Sequence, residues 1–69
     1  NAVPREVFLV ELWRRYADAA EEIRVKRYPD YVKLKARLKH YLYTIRVPPD
    51  VADQLIREYK SKNKTVNEY

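Results

Sequence analysis

The sequence predicts an all-α fold: a small domain of three helices over about 4–26, 29–42 and 49–61, with a short strand or extended linker at 43–47. Three observations carry that expectation. Apolar residues recur at helical spacing from Phe8 to Ile23. Pro29 and the pair Pro48-Pro49 divide the chain where a helix cannot continue. Between them Leu, Lys, Ala and Arg dominate, which are strong helix formers, and β-branched residues are scarce before Thr44.

The first helix opens at Pro4, where a missing N–H costs nothing. Phe8, Leu9, Leu12, Trp13, Tyr16, Ala19, Ala20 and Ile23 fall on one arc of its wheel, with Phe8 and Trp13 expected in the core. Glu11, Arg14, Arg15, Asp18, Glu21 and Glu22 fill the other arc, where Arg14–Asp18, Glu11–Arg15 and Glu22–Lys26 are spaced as (i, i+4) pairs. Tyr28-Pro29-Asp30 breaks the chain, since proline disfavours a helical residue before it. The next stretch carries two patterns at once. Val32, Leu34, Ala36 and Leu38 alternate with Lys33, Lys35, Arg37 and Lys39, the signature of a strand. Tyr31, Leu34, Leu38, Tyr41, Leu42 and Ile45 also make a helical stripe, and helix propensity decides for the second helix. In that helix the basic residues form two rims beside the stripe.

Tyr43-Thr44-Ile45-Arg46-Val47 is β-branched and ends at two prolines, so it reads as extended. The third helix then carries Val51, Ala52, Leu55, Ile56 and Tyr59 on one face, with Asp53–Arg57 paired on the other. Lys62-Asn63-Lys64 is a turn in which Asn63 takes the positive φ that glycine would otherwise supply. Thr65 with Glu68 three residues on is a capping box, which predicts another helix starting and the 69 residues as a piece of a longer chain. The chain begins without Met, and Asn1-Ala2 reads as a processed or added start.

Sixty-nine residues make one domain, 1–69, with a marginal core, because a chain this short buries only about 60% of the surface its unfolded form exposes. With no Cys, it has neither disulfides nor thiolate metal ligands to compensate. With no Gly, the glycine-rich phosphate loops are excluded. Dimerisation or docking on a larger protein is the remaining compensation. The absence of Cys, Met and Gly beside abundant charge and Tyr resembles a thermophile's usage. No apolar run spans a membrane, and a cytoplasmic setting is expected.

Charge is concentrated in the middle of the chain. Residues 24–46 hold Arg24, Lys26, Arg27, Lys33, Lys35, Arg37, Lys39 and Arg46 against Asp30 alone, and Tyr28, Tyr31, Tyr41 and Tyr43 are interleaved with them. A basic stripe with aromatics is the footprint of a nucleic-acid binder. The alternatives are a solvated face whose tyrosines are core, and a surface that meets an acidic protein or a membrane.

The last third resembles the ribbon-helix-helix family of DNA-binding proteins. Thr44-Ile45-Arg46-Val47-Pro48 is similar to that family's strand, Pro49 to Ile56 to its first helix, and Thr65-Val66-Asn67-Glu68 to the opening of its second, so the match covers about 43–69. The resemblance implies a homodimer whose paired strands enter the major groove. Ile45 and Val47 would then point inward, with Thr44 and Arg46 outward to meet bases. The chain departs from the pattern where the second helix is nearly absent and where Leu42 takes an outward position.

No catalysis is expected. The carboxylates lie on polar arcs, His40 stands alone, and no nucleophile is paired with a base. No cofactor is implied. The expected function is nucleic-acid binding, DNA before RNA, through Lys33, Lys35, Arg37, Lys39 and Arg46, with Thr44 as a shorter polar contact. The alternative is a helical adaptor that docks a protein through apolar surface its small core cannot cover.

Overall fold

The computed structural model describes residues 2–69, so Asn1 lies outside the described residues. The chain folds as β1 (Val3–Glu6), α1 (Val10–Ala19), β2 (Glu22–Arg27), β3 (Val32–Arg37), β4 (Tyr41–Val47), α2 (Pro49–Ser61) and β5 (Val66–Glu68). The strands make one mixed sheet in the order β1-β4-β3-β2-β5. The pairs β1–β4 and β2–β5 are parallel, whereas β3 runs antiparallel to both its neighbours. This α/β architecture replaces the expected all-α three-helix bundle.

The two crossovers, β1-α1-β2 and β4-α2-β5, join parallel strands and run the same way across the sheet. A common hand of crossover sets both helices on one face. Ile23, Val25, Val32, Leu34, Ala36, Ile45 and Val47 point to that face, and Trp13, Ala17, Ala52, Leu55, Ile56 and Tyr59 close over them. Trp13 is fully buried, meets the Tyr59 ring edge-on at 6.0 Å and donates its indole N–H to the Tyr43 carbonyl at 3.0 Å. The opposite face of the sheet carries no helix.

Each departure from the helical expectation has a local cause. The helix read over 4–26 is reduced to α1, with a strand on either side. The buried residues of α1 and its C-cap are Trp13, Ala17 and Ala20, with Val10 partly buried, and Phe8, which precedes the helix, stands 81% exposed. Pro4 lies in β1, at the sheet edge. The Val3 N–H bonds to the His40 carbonyl just before β4 at 2.8 Å and the Val7 N–H to the Thr44 carbonyl of β4 at 2.7 Å, so alternation turns the proline nitrogen to the unpaired side, where its missing hydrogen is harmless. The helix read over 29–42 is replaced by β3 and the start of β4. Alternation prevails there because both flanking strands offer matching inward residues, and burying one full face outweighs the few tenths of a kcal/mol per residue of helix propensity.

The segment 43–47 is strand, part of β4: β3 pairs along its whole length on one edge, and β1 pairs Tyr43 and Thr44 on the other. Its pairing is made within the chain, in place of the ribbon that the resemblance implied between two copies. The capping-box segment at Thr65 forms β5 in place of a fourth helix, because Val66, Asn67 and Glu68 pair with Ile23, Arg24 and Val25. The end of α2 directs it there. Asn63 has φ 63°, and the N–H groups of Asn63 and Lys64 bond back to the Lys60 and Tyr59 carbonyls, both at 3.0 Å. This is a Schellman cap built on asparagine. The ion pairs differ as well: Arg14 binds Glu58 of α2, Glu22 binds Arg24, and Asp53 binds Arg27. No helix among the described residues is long and apolar enough to cross a membrane.

Candidate nucleic-acid interface

Alternation in the strands sends every second side chain to the helix-free face. On β2 these are Glu22, Arg24 and Lys26; on β3, Lys33, Lys35 and Arg37; on β4, Leu42, Thr44 and Arg46. Register then arranges them in rows. Lys33 lies between Lys26 and Arg46, Lys35 between Arg24 and Thr44, and Arg37 between Glu22 and Leu42. Residues directly opposite across a sheet are only about 4.5–5.5 Å apart at Cα. Like charges at that distance destabilise a sheet. Here three cations stand abreast in the first row and two in the second.

Carboxylates balance only part of this charge. Glu22 binds Arg24 at 3.1 Å, Glu6 reaches Arg46 at 3.4 Å, and Glu21 reaches Arg37 at 3.6 Å. Asn67 of β5, and then Arg24, hold the Glu22 carboxyl below its ordinary range. Lys26, Lys33 and Lys35 make no ion pair among the described residues. Aromatic rings supply some of the missing contact. The Lys33 ammonium lies 5.5 Å from the Tyr28 ring, and the Arg46 guanidinium 5.2 Å from the Tyr31 ring. Tyr28 and Tyr31 stack on each other at 4.8 Å where the β2–β3 hairpin closes.

The face is concave in places. A shallow depression of about 350 Å³ lies over β1, β4 and β3 and is walled by Glu6, Lys33, Lys35, Thr44 and Arg46. Another, of about 500 Å³, is bordered by Arg24, Arg37, Lys39 and Leu42. No nucleophile is set against a base on this face. Its chemistry is that of a surface for anions, with π faces at one end.

The sequence-predicted residues Lys33, Lys35, Arg37, Thr44 and Arg46 are brought together here as one patch, in place of the two rims expected on a helix. Lys39 is set apart from the rows, in the β3–β4 turn, and borders the patch. The selection from sequence missed Arg24, Lys26, Tyr28 and Tyr31. The signal for the first two was present: Arg24 and Lys26 alternate with Ile23 and Val25 just as Lys33 and Lys35 alternate with Val32 and Leu34. Reading both runs as one hairpin across Pro29-Asp30 would have found them.

No family model matches the sequence. The chain is 39% identical over 66 residues to the large ribosomal subunit protein eL38 of Aeropyrum pernix, an alignment covering 96% of this chain and 98% of the relative. That similarity overturns the ribbon-helix-helix resemblance, and with it the reading of the chain as DNA-binding.

Proposed function

The chain belongs to the family of large ribosomal subunit protein eL38, and from that premise we propose that it is a structural component of the large ribosomal subunit that holds ribosomal RNA against the open face of its sheet. It is a ribosomal protein and not an enzyme, and its setting is cytoplasmic. The observation that carries the RNA-facing reading is the row Lys26–Lys33–Arg46 beside the pair Arg24–Lys35. Five cations in register are a liability in the free protein and an asset against a phosphate backbone, which each of them helps to neutralise. Lys33, Lys35, Arg37 and Arg46 are assigned to phosphates, Lys39 to the margin of the contact, and Thr44 to a short polar contact such as a 2′-hydroxyl.

The test is titration of large-subunit ribosomal RNA with the native chain and with Lys33→Glu/Lys35→Glu at several salt concentrations. Affinity of the native protein falls steeply as salt rises, with a log–log slope of about −0.7 to −0.9 for each phosphate neutralised. The double variant binds at least tenfold more weakly with a shallower slope. Equal affinity and equal slope for the two proteins would remove the open face from the interface.

A further inference from the structure

We propose that the depression between Tyr28 and Tyr69 is a slot for one unpaired nucleobase, so that the RNA held on this face is single-stranded or looped at that point. The inference rests on the reading of the open face as an RNA surface and adds which form of RNA it takes. The depression, of about 380 Å³, is lined by Arg24, Val25, Lys26, Tyr28, Lys35 and Tyr69. It therefore combines two rings with three cations, the two kinds of group that hold a base by its π face and its phosphates by charge.

Both tyrosines are exposed in the free protein, Tyr28 by 37% and Tyr69 by 68% as whole residues. Both are also held at their backbones. The Tyr28 N–H bonds to the Tyr31 carbonyl and the Tyr69 N–H to the Val25 carbonyl, each at 2.9 Å. The Tyr28 ring is fixed further by its parallel stack on Tyr31, at an interplanar angle of 6°. Tyr31 rests in turn against the Arg46 guanidinium, which Glu6 holds from β1. The series Glu6, Arg46, Tyr31, Tyr28 thus ends at the slot and presents an aromatic ring that needs little ordering when a base arrives. A base inside a duplex has both faces stacked and its edge paired, so it cannot enter. Unpaired bases in loops and bulges can, which is how proteins usually single out RNA positions.

The experiment compares two probes, a short oligoadenylate carrying one 2-aminopurine and a fully paired RNA duplex, with native, Tyr28→Ala, Tyr28→Phe and Lys35→Glu proteins. Stacking in the slot quenches 2-aminopurine fluorescence. Tyr28→Ala abolishes the quench and weakens oligoadenylate binding about tenfold, Tyr28→Phe retains both, and duplex binding is the same for all three. Lys35→Glu weakens both probes. Persistence of the quench and affinity in Tyr28→Ala, with loss in Lys35→Glu, overturns the slot and leaves the phosphate surface standing. Indifference of both probes to Lys35→Glu overturns the surface on which the slot rests.

Discussion

At the scale of single residues, the fold depends on a few side chains that tie distant segments. Lys64 donates to the Asp18 and Ala20 carbonyls at 3.0 and 2.8 Å, placing a cation on the C-terminal end of α1, where the helix dipole favours it. Glu58 of α2 accepts from Lys62 at 3.2 Å and from the Arg14 guanidinium of α1 through both carboxylate oxygens. Those cations, Lys62 first and then Arg14, hold its carboxyl below the ordinary range. A lowered folded-state pKa means stability that is present above the unfolded value and lost as pH falls through the folded one. The native protein therefore melts lower as acid protonates Glu58, and Glu58→Gln flattens that part of the curve. Identical acid limbs of Tm against pH for the two proteins would show that the contact contributes nothing. Asn63 is the one residue whose conformation was legible in advance: a chain without glycine has few alternatives for a positive φ.

At the scale of elements, β3 is the decisive case. As a strand it buries Val32, Leu34 and Ala36 completely and turns Lys33, Lys35 and Arg37 outward. As a helix it would set Leu34 beside Leu38 and scatter its lysines on both flanks. The two arrangements predict different mutational patterns. Leu34→Ala leaves a void under two helices and costs about 2–5 kcal/mol. Lys35→Ala removes a charge opposite Arg24 and changes stability by no more than about 0.5 kcal/mol. Urea denaturation measures both, and a cost at Lys35 comparable with that at Leu34 would contradict the strand. α2 lies where proline entry and apolar spacing put it, at Pro49–Ser61, because no competing pattern runs through those residues. β1 and β5 had no such signal. Both are short edge strands, created by the neighbours they join and by the crossovers that deliver them.

At the scale of the whole molecule, assembling one face of like charge sets function against stability. Lys33→Glu places a carboxylate between Lys26 and Arg46, two cations it can pair with. The variant gains about 0.2–1 kcal/mol at low salt, and the gain shrinks as salt screens the face. Thermal melting at low and high ionic strength reads this directly. A variant less stable than the native protein at low salt would mean that the row carries no repulsion. If the open face holds RNA as proposed, the same substitution weakens RNA binding, the trade expected of a functional surface held against its own electrostatics.

The sequence by itself determined the local matters: the breaks at Pro29 and Pro48, the amphipathic run of α2, the burial of Trp13, the asparagine turn, and a basic aromatic segment in the middle of the chain. It also held two periods, a strand alternation over 32–39 and a helical stripe over 31–45, and helix propensity chose the stripe. Only the tertiary structure decided between them. A strand is stabilised by partners, and the partners of β3 lie on either side of it in sequence, with their own inward residues revealed as such only when all three pair. Pairing turned two imagined rims of lysine into one surface, and set Tyr28 and Tyr31 at its end. A helix carries its hydrogen bonds within itself and so can be read from one segment. A sheet face belongs to several segments at once, and its charge pattern exists only after they have met.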